Sequence, residues 1–105
     1  MSQTLKFKPK NKYEWNQDKK FVYVQIPLPA HTSLKKVDIF LSDLILKVNS
    51  LEKNQVHFLD LAHEVDFKSP ENKFVLSNGL LHATLKKTEA DLEWQNLLVE
   101  DLLLE

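Results

Sequence analysis

The sequence predicts an all-β fold, a seven-stranded antiparallel β-sandwich, and three observations support this prediction. Short segments that alternate apolar and polar residues recur along the 105 residues, and turn-forming residues separate them. The only glycine follows Asn78 between two apolar runs, which is the strongest local signal for a β-hairpin. No internal segment has a convincing helical period. Two sheets that each bury one face would satisfy this pattern.

The first strand is predicted to be short and the second long. Residues 13–15 alternate in polarity, and the polar run at residues 16–20 predicts a turn after them. Residues 21–28 are rich in β-forming residues. Their predicted inward face consists of Val22, Val24 and Ile26. Pro27 and Pro29 end this strand, and because proline cannot donate to a ladder, this end is predicted to lie at a sheet edge.

A second hairpin and a fifth strand are predicted in the middle of the chain. Residues 37–48 alternate on either side of a turn at residues 42–43. One face of this hairpin is predicted to carry Val37, Ile39, Leu41, Leu44, Leu46 and Val48. Residues 56–65 predict the fifth strand, with His63 on its inward face, and residues 66–73 predict a turn because they include proline and asparagine.

The last two strands are predicted to form a hairpin at Asn78-Gly79. A two-residue type I′ turn needs a positive φ at both central positions, which asparagine and glycine tolerate. Counting outward from this turn pairs Leu76 with Leu81. The inward face of the hairpin is predicted to carry Phe74, Leu76, Leu81, Ala83 and Leu85.

The two termini are predicted to differ from the domain between them. Residues 1–12 are rich in lysine and contain a proline, which predicts a flexible basic arm. The domain itself is predicted to span residues 13–97, and residues 98–105 form a tail of acidic residues and leucines. Thr88 and Asp91 have the spacing of a helix capping box, and Trp94, Leu97, Leu98 and Leu102 recur at near-helical spacing. The sequence therefore leaves open a short C-terminal helix or an extended tail.

The composition excludes several classes of function. A net charge of −1 and a pI near 6.4 argue against a nucleic-acid-binding protein, which needs a dominant basic surface. The chain has no cysteine, which fits a reducing compartment. No apolar run approaches the ~20 residues of a membrane-spanning helix, and the first residues do not resemble a signal peptide. These features predict a soluble cytoplasmic domain with no membrane or nucleic-acid partner.

Enzyme and metal-site patterns are missing from the sequence. His63-Glu64 begins like the zinc-binding HExxH motif, but Phe67 occupies the position of the second histidine. A single glycine cannot form a phosphate-binding loop. Asp60 and Glu64 share a predicted strand face about 13 Å apart, farther than glycosidase carboxylates. We therefore expect no catalytic residues, no bound metal and no cofactor, and we expect the function to lie in a surface.

The candidate surface combines aromatic and charged residues. Tyr13 and Trp15 lie on the first strand, and Phe21 and Tyr23 follow them on the second. A sandwich often places its first and last strands in one sheet, which would bring these aromatics next to charges after the last strand. Such pairing of aromatic anchors with a charged rim is typical of protein interfaces. The predicted partner-binding residues are Tyr13, Trp15, Lys86, Lys87 and Glu89. The alternative is that Trp15 and Trp94 belong to the core and that the lysines only aid solubility.

The order of these segments resembles the CS domain, the β-sandwich of p23-like co-chaperones, NudC-like proteins and relatives of the HSP20-like α-crystallin fold. The resemblance covers residues 13–97. It depends on five segments: YEWNQ, FVYVQIPLP, VDIF with LILKVN, FLDLAHEVD and GLLHATLKKTEADLEW. The resemblance implies a non-catalytic co-chaperone or adaptor that docks on heat-shock protein 90. By position, Lys87 and Glu89 match an exposed charged pair that contributes to such contacts in some members, and Lys86 lies beside them.

Two further expectations follow from the resemblance. The opening residues, LKVN at residues 46–49 and the KKTEADLEW ending are most similar to the N-terminal CS domain of axonemal dynein assembly factors, which implies a role in ciliary dynein assembly. The alternative function is a small-heat-shock-like holdase that binds unfolded clients directly. Oligomers driven by the leucine-rich tail would support the holdase, whereas a monomer is expected for the adaptor.

Overall fold

The computed structural model describes residues 13–29, 32–51 and 55–99. Its seven strands are β1 (Glu14–Gln17), β2 (Phe21–Pro27), β3 (Val37–Leu41), β4 (Ile45–Ser50), β5 (Gln55–Asp60), β6 (Lys73–Ser77) and β7 (Leu80–Lys86). A single turn of 3-10 helix, Leu34–Lys36, precedes β3. All pairings are antiparallel and form two sheets, β1-β2-β7-β6 and β3-β4-β5. The predicted seven-stranded sandwich is therefore confirmed.

The core lies between the two sheets and follows the alternation of the strands. Every second residue of β2 and β7 is buried, and Leu46, Val48 and Leu59 are buried on the opposing sheet. The buried apolar residues are Val22, Val24, Ile26, Leu28, Leu46, Val48, Leu59, Leu61, Val65, Leu81, Ala83, Leu85, Trp94, Leu97 and Leu98. The sequence predicts that Leu44 shares a face with Leu46 and Val48, but Leu44 lies in the β3–β4 turn and is exposed. Alternation applies only within the paired strand, and Leu44 precedes it.

The β6–β7 hairpin has the predicted turn and register. Asn78 and Gly79 have φ angles of 53° and 77°. Leu76 pairs with Leu81, and Ser77 pairs with Leu80. The backbone N–H of Leu28 donates to the Gly79 carbonyl at 2.9 Å, which joins the end of β2 to this turn.

The turn between β1 and β2 is shorter than predicted. Asn16 and Gln17 belong to β1, because Gln17 still pairs with Val22 of β2. The chain then reverses at Asp18, whose Oδ1 accepts the N–H groups of Lys20 and Phe21 at 2.9 and 2.8 Å. The sequence predicts a polar turn at residues 16–20, but the Asp18 side chain closes a shorter turn.

The prolines do end β2, but the strand is not an edge strand. It lies between β1 and β7. Pro27 lies beyond Gln25, the last β2 residue that pairs with β1. The N–H of Leu28 points toward the hairpin, where it donates to the Gly79 carbonyl. Successive N–H groups of a strand point to opposite sides, so the nitrogen of Pro27 points to the side of β1. At this position β1 no longer pairs with β2. The missing N–H therefore interrupts no ladder bond.

The segments after β5 and β7 are irregular but packed. The predicted strand at residues 56–65 ends at Asp60, and single bridges continue it from Leu61 to Leu98 and from Val65 to Lys87. Residues 88–98 contain no helix, and Asp91, predicted in a capping box, has a φ of 72° and donates its N–H to Lys19. This extended arrangement carries apolar side chains into the core. The predicted arm at residues 1–12 and the tail residues 100–105 lie outside the described residues.

Candidate protein-interaction surfaces

Tyr13 and Trp15 turn toward the interior. Trp15 pairs with Val24, whose side chain is fully buried, so both project from the inner face of the four-stranded sheet. The Tyr13 hydroxyl lies 3.0 Å from His57 Nδ1, and the two rings meet edge to face. His57 belongs to β5, so this contact joins the two sheets. Both aromatics are half-buried against the core, which corresponds to the core alternative for Trp15.

Lys87 is buried rather than exposed, so its expected exposure is wrong. Its side chain is 3% exposed, and Nζ donates to Gln17 Oε1 at 2.8 Å and to the Leu92 carbonyl at 2.7 Å. Gln17 also accepts the Trp94 N–H at 2.9 Å and donates to the Trp94 carbonyl at 2.8 Å. We call Gln17, Lys87, Leu92 and Trp94 the C-terminal junction. Period-2 alternation explains the burial, because Lys87 follows the outward-facing Lys86.

Lys86 lies on the outer face of the four-stranded sheet, where it meets the Phe21 ring. It pairs with Phe21, and its Nζ lies 5.6 Å from the centre of that ring and 3.1 Å from Glu71 Oε1. The rings of Phe21 and Tyr23 are 6.2 Å apart, and the Tyr23 hydroxyl donates to Asp18 Oδ2 at 2.7 Å. We call Asp18, Phe21, Tyr23, Glu71 and Lys86 the Lys86 patch.

Hydrogen bonds shift the pKa values of two groups in the Lys86 patch, Asp18 and Tyr23. The bond from the Tyr23 hydroxyl, followed by those from the N–H groups of Phe21 and Lys20, lowers the pKa of Asp18. The same carboxylate raises the pKa of Tyr23, since ionised tyrosine could no longer donate to it. At neutral pH the Asp18 carboxylate is therefore ionised and the Tyr23 phenol is neutral.

A shallow polar groove of about 170 Å³ adjoins the Lys86 patch at Tyr23. Residues of β1, β2 and β7 line it, and their outward-facing members are Glu14, Asn16, Tyr23, Gln25, His82 and Thr84. The groove extends the patch across the outer face of the sheet. It offers hydrogen-bonding groups but little apolar surface.

Glu89 lies in a different place from the lysines. It lines a cleft of about 300 Å³ together with Leu44, His63 and Glu64. The His63 ring lies 5.3 Å from the Trp94 ring and is half-buried, so His63 is not the core residue that its predicted inward position suggests. The predicted five-residue surface is thus divided between the interior, the Lys86 patch and this cleft.

Sequence reasoning missed several members of these sites. Gln17 was assigned to a turn, and nothing in its neighbourhood marks it as the partner of Lys87. Phe21 and Tyr23 alternate with buried valines, which predicts that they face outward. Glu71 and Asp18 join the patch only through folding, because a loop and a turn bring them there.

In the ranges that the structure describes, no three metal-binding side chains cluster. No helix among the same residues has both the length and the apolar character to cross a bilayer.

Comparisons with known proteins identify the architecture. The family model described as CS domain matches residues 11–87. The structure is similar to the nuclear movement protein from E. cuniculi GB-M1, with a TM-score of 0.65 and 22% identity, covering 84% of this chain and 99% of that one. It is also similar to the CS domain of human KIAA1068 protein, with a TM-score of 0.68 and 22% identity, covering 94% and 87%. Among the curated proteins, no sequence matches significantly.

Proposed function

Because the chain belongs to the CS-domain family, we propose that it is a non-catalytic co-chaperone or adaptor domain that docks on heat-shock protein 90 or a related chaperone assembly. CS domains commonly serve as modules that interact with chaperones. The proposal places the function on the outer surface of a sandwich whose interior is filled by apolar side chains.

The observation that carries this proposal is the Lys86 patch. Lys86 is held between the Phe21 ring and Glu71, so its ammonium is already positioned before a partner arrives. Two aromatic rings beside an oriented charge are the features that recur at protein interfaces. Charges at an interface rim set orientation and association rate more than affinity. We therefore propose a transient, salt-sensitive complex in which Lys86 meets an acidic group of the chaperone.

The remaining candidate residues have supporting roles in this proposal. Glu89 extends the contact from the neighbouring cleft. Lys87 acts from the interior, since the C-terminal junction holds the segment that carries Glu89. Tyr13 and Trp15 contribute their half-exposed edges and fix β1, which borders the polar groove.

The cellular setting is a further part of the proposal. The opening residues, the LKVN segment and the KKTEADLEW ending are similar to the axonemal dynein assembly factor also called the dyslexia-susceptibility protein. This similarity supports a cytoplasmic role in dynein assembly for cilia, with the domain acting as a monomer.

A titration followed by NMR tests the docking proposal. We expect the ATPase domain of heat-shock protein 90, with or without nucleotide, to shift backbone signals of Phe21, Tyr23 and Lys86 in the labelled chain. Lys86→Glu should weaken binding about tenfold, because it reverses the positioned charge. Lys35→Glu, in the 3-10 helix, makes the same charge change outside the patch and should bind like the wild type.

Two outcomes would contradict docking. One is the absence of any shift at millimolar chaperone. The other is suppression of client aggregation by oligomers of the chain alone, measured by light scattering and sedimentation, which would support the holdase function instead.

A further inference from the structure

The outer face of the three-stranded sheet exposes large apolar side chains that the core does not use. Phe40 and Phe58 are each 57% exposed, and Val56 is 52% exposed. Their neighbours Ile39 and Leu59 point into the sandwich, so the exposed side chains follow from alternation and not from a frayed strand. This face lies on the opposite side of the molecule from the Lys86 patch.

The two phenylalanines and a lysine form one row across the sheet. Phe40 of β3 and Phe58 of β5 both pair with Lys47 of β4. Neighbouring strands lie about 4.8 Å apart, which places the two phenylalanine Cα atoms about 10 Å apart with Lys47 midway. A groove of about 430 Å³ covers this row and also touches Asp38, Ile45 and Asn49. We call Phe40, Lys47 and Phe58 the aromatic row.

Lys47 forms no ion pair within the part of the chain that the structure describes. The ion pair in those residues joins Lys86 to Glu71, and Lys47 forms none. Asp38 and Asp60 lie on the same face but pair with Asn49 and Ile45 and not with Lys47. A partner that covers the row and supplies an acidic group gives Lys47 a direct ion pair, which offsets the cost of burying its ammonium.

The face of a sheet also limits which backbone conformation the partner can have. The N–H and C=O groups of β4 are already used in pairing with β3 and β5, so an extended peptide lying on them would find no backbone partners. An α-helix satisfies its own backbone groups. Residues i and i+7 of a helix lie about 10.5 Å apart along its axis, and residue i+3 or i+4 lies midway. This spacing matches the aromatic row.

We propose that the aromatic row binds an amphipathic helix of a partner protein that carries apolar residues at i and i+7 and an aspartate or glutamate at i+3 or i+4. The apolar residues cover Phe40 and Phe58, and the carboxylate pairs with Lys47. A second copy of this chain fits poorly, because a two-fold axis through the row would bring Lys47 against Lys47. The contact is small, so the complex is weak and reversible.

Synthetic peptides test this inference on the whole chain. The probe is an alanine- and glutamine-based peptide of about 15 residues, long enough to form a helix, with leucine at i and i+7 and glutamate at i+4. The matched peptide carries lysine in place of glutamate. We expect the glutamate peptide to shift the NMR signals of Phe40, Lys47 and Phe58, and to bind about tenfold more tightly than the lysine peptide.

A charge exchange provides the decisive variant. Lys47→Glu should reverse the preference, so that the lysine peptide binds more tightly than the glutamate peptide. Lys35→Glu should leave the preference unchanged. Lys47 is exposed, so circular dichroism should show the same fold for both variants.

Three results would overturn the inference. The first is no shift with either peptide at millimolar concentration. The second is a set of shifts confined to Phe21 and Tyr23 of the opposite face. The third is sedimentation that shows self-association abolished by Phe40→Ser, which would assign the row to a second copy of the chain.

Discussion

At the residue scale, the exposed carboxylate of Asp18 stabilises both a turn and a ring of the candidate surface. Its two oxygens accept the N–H groups of Lys20 and Phe21 and the hydroxyl of Tyr23, so the same side chain closes the β1–β2 turn and orients a ring of the Lys86 patch. All three hydrogen bonds require an ionised acceptor to be at full strength. The turn and the candidate surface are therefore linked at this residue.

Acid should weaken the fold through Asp18. Its pKa is lowered in the folded chain, so its contribution to stability is complete above the ordinary value of 3.8 and is lost as the pH falls through the lowered pKa. We expect Asp18→Asn to reduce the free energy of unfolding at pH 7, with the difference from wild type shrinking below pH 3.8. Urea denaturation at several pH values measures this. A difference that does not vary with pH would contradict the assignment.

Gly79 is required by its backbone conformation and not by lack of space. A Cβ at this position would lie 3.9 Å from the Leu28 carbonyl oxygen, which is an ordinary contact, but φ is +77°. Gly79→Ala should therefore cost about 1 kcal/mol, and Gly79→Val several kcal/mol, because a β-branched residue resists a positive φ. Ser77→Val, an exposed position of β6, should be neutral by the same denaturation assay. Equal effects of the two valine substitutions would refute this explanation.

At the scale of an element, the segment after β7 replaces a helix with a packed irregular chain. Its backbone does not form the continuous ladder of hydrogen bonds that a strand has. Side chains of the C-terminal junction bind several of its backbone groups instead. Gln17 bonds both backbone groups of Trp94, and Lys87 bonds the Leu92 carbonyl. The segment is then held closely enough for Trp94, Leu97 and Leu98 to join the core.

Removing the buried ammonium should loosen this segment. In Lys87→Met the methylenes are retained, but the Leu92 carbonyl loses its donor, and we expect a loss of about 1–3 kcal/mol in unfolding free energy. Lys86→Met removes the neighbouring charge on the outer face and should change stability by less than about 0.5 kcal/mol. Amide hydrogen exchange at residues 88–98 should quicken only in Lys87→Met. Unchanged exchange would mean that the junction is not needed.

Trp94 should be the most sensitive residue of the segment. It is buried at 2% exposure, and its replacement by alanine would leave a large cavity at the edge of the core. We expect Trp94→Ala to lower the free energy of unfolding by about 3–5 kcal/mol. Gln95→Ala, at the exposed neighbouring position, serves as the control in thermal denaturation. A small loss for Trp94→Ala would show that the segment detaches from the folded core.

At the scale of the whole molecule, the residues that stabilise the fold and the residues that we propose to bind partners lie on different faces of the two sheets. The inner faces hold the core, and the two outer faces hold the Lys86 patch and the aromatic row. Because the sheets lie back to back, two partners can contact the outer faces without competing. This arrangement suits an adaptor.

Adjacent residues of β5 test this separation. Leu59 is fully buried and Phe58 is 57% exposed. Leu59→Ala should cost about 2–5 kcal/mol. Phe58→Ala should cost clearly less than Leu59→Ala, since more than half of the Phe58 side chain stays in water. Guanidinium denaturation of the two variants decides the point, and comparable losses would disprove the outward placement of Phe58.

The sequence predicted those features that depend on neighbouring residues. Two-residue alternation identified the inward face of β2 and β7, and Asn78-Gly79 identified the hairpin with its register. The same alternation, applied to β3 and β5, puts Phe40 and Phe58 on the face opposite Ile39 and Leu59. The candidate site was predicted less well, because Lys87, Glu89 and Trp15 were grouped by proximity in sequence and by resemblance rather than by the face on which each lies.

By itself, the sequence determined the fold class, the strand order along the chain and the side of each strand that is buried, because these follow from local backbone preferences and hydrophobic periodicity. Only the tertiary structure decided that Gln17 and the Leu92 carbonyl bind the Lys87 ammonium, and that Phe40, Lys47 and Phe58 share a row. The physical reason is that hydrogen-bond partners and cross-strand neighbours come from distant parts of the chain. Which of them meet is fixed when the sheets pair and close.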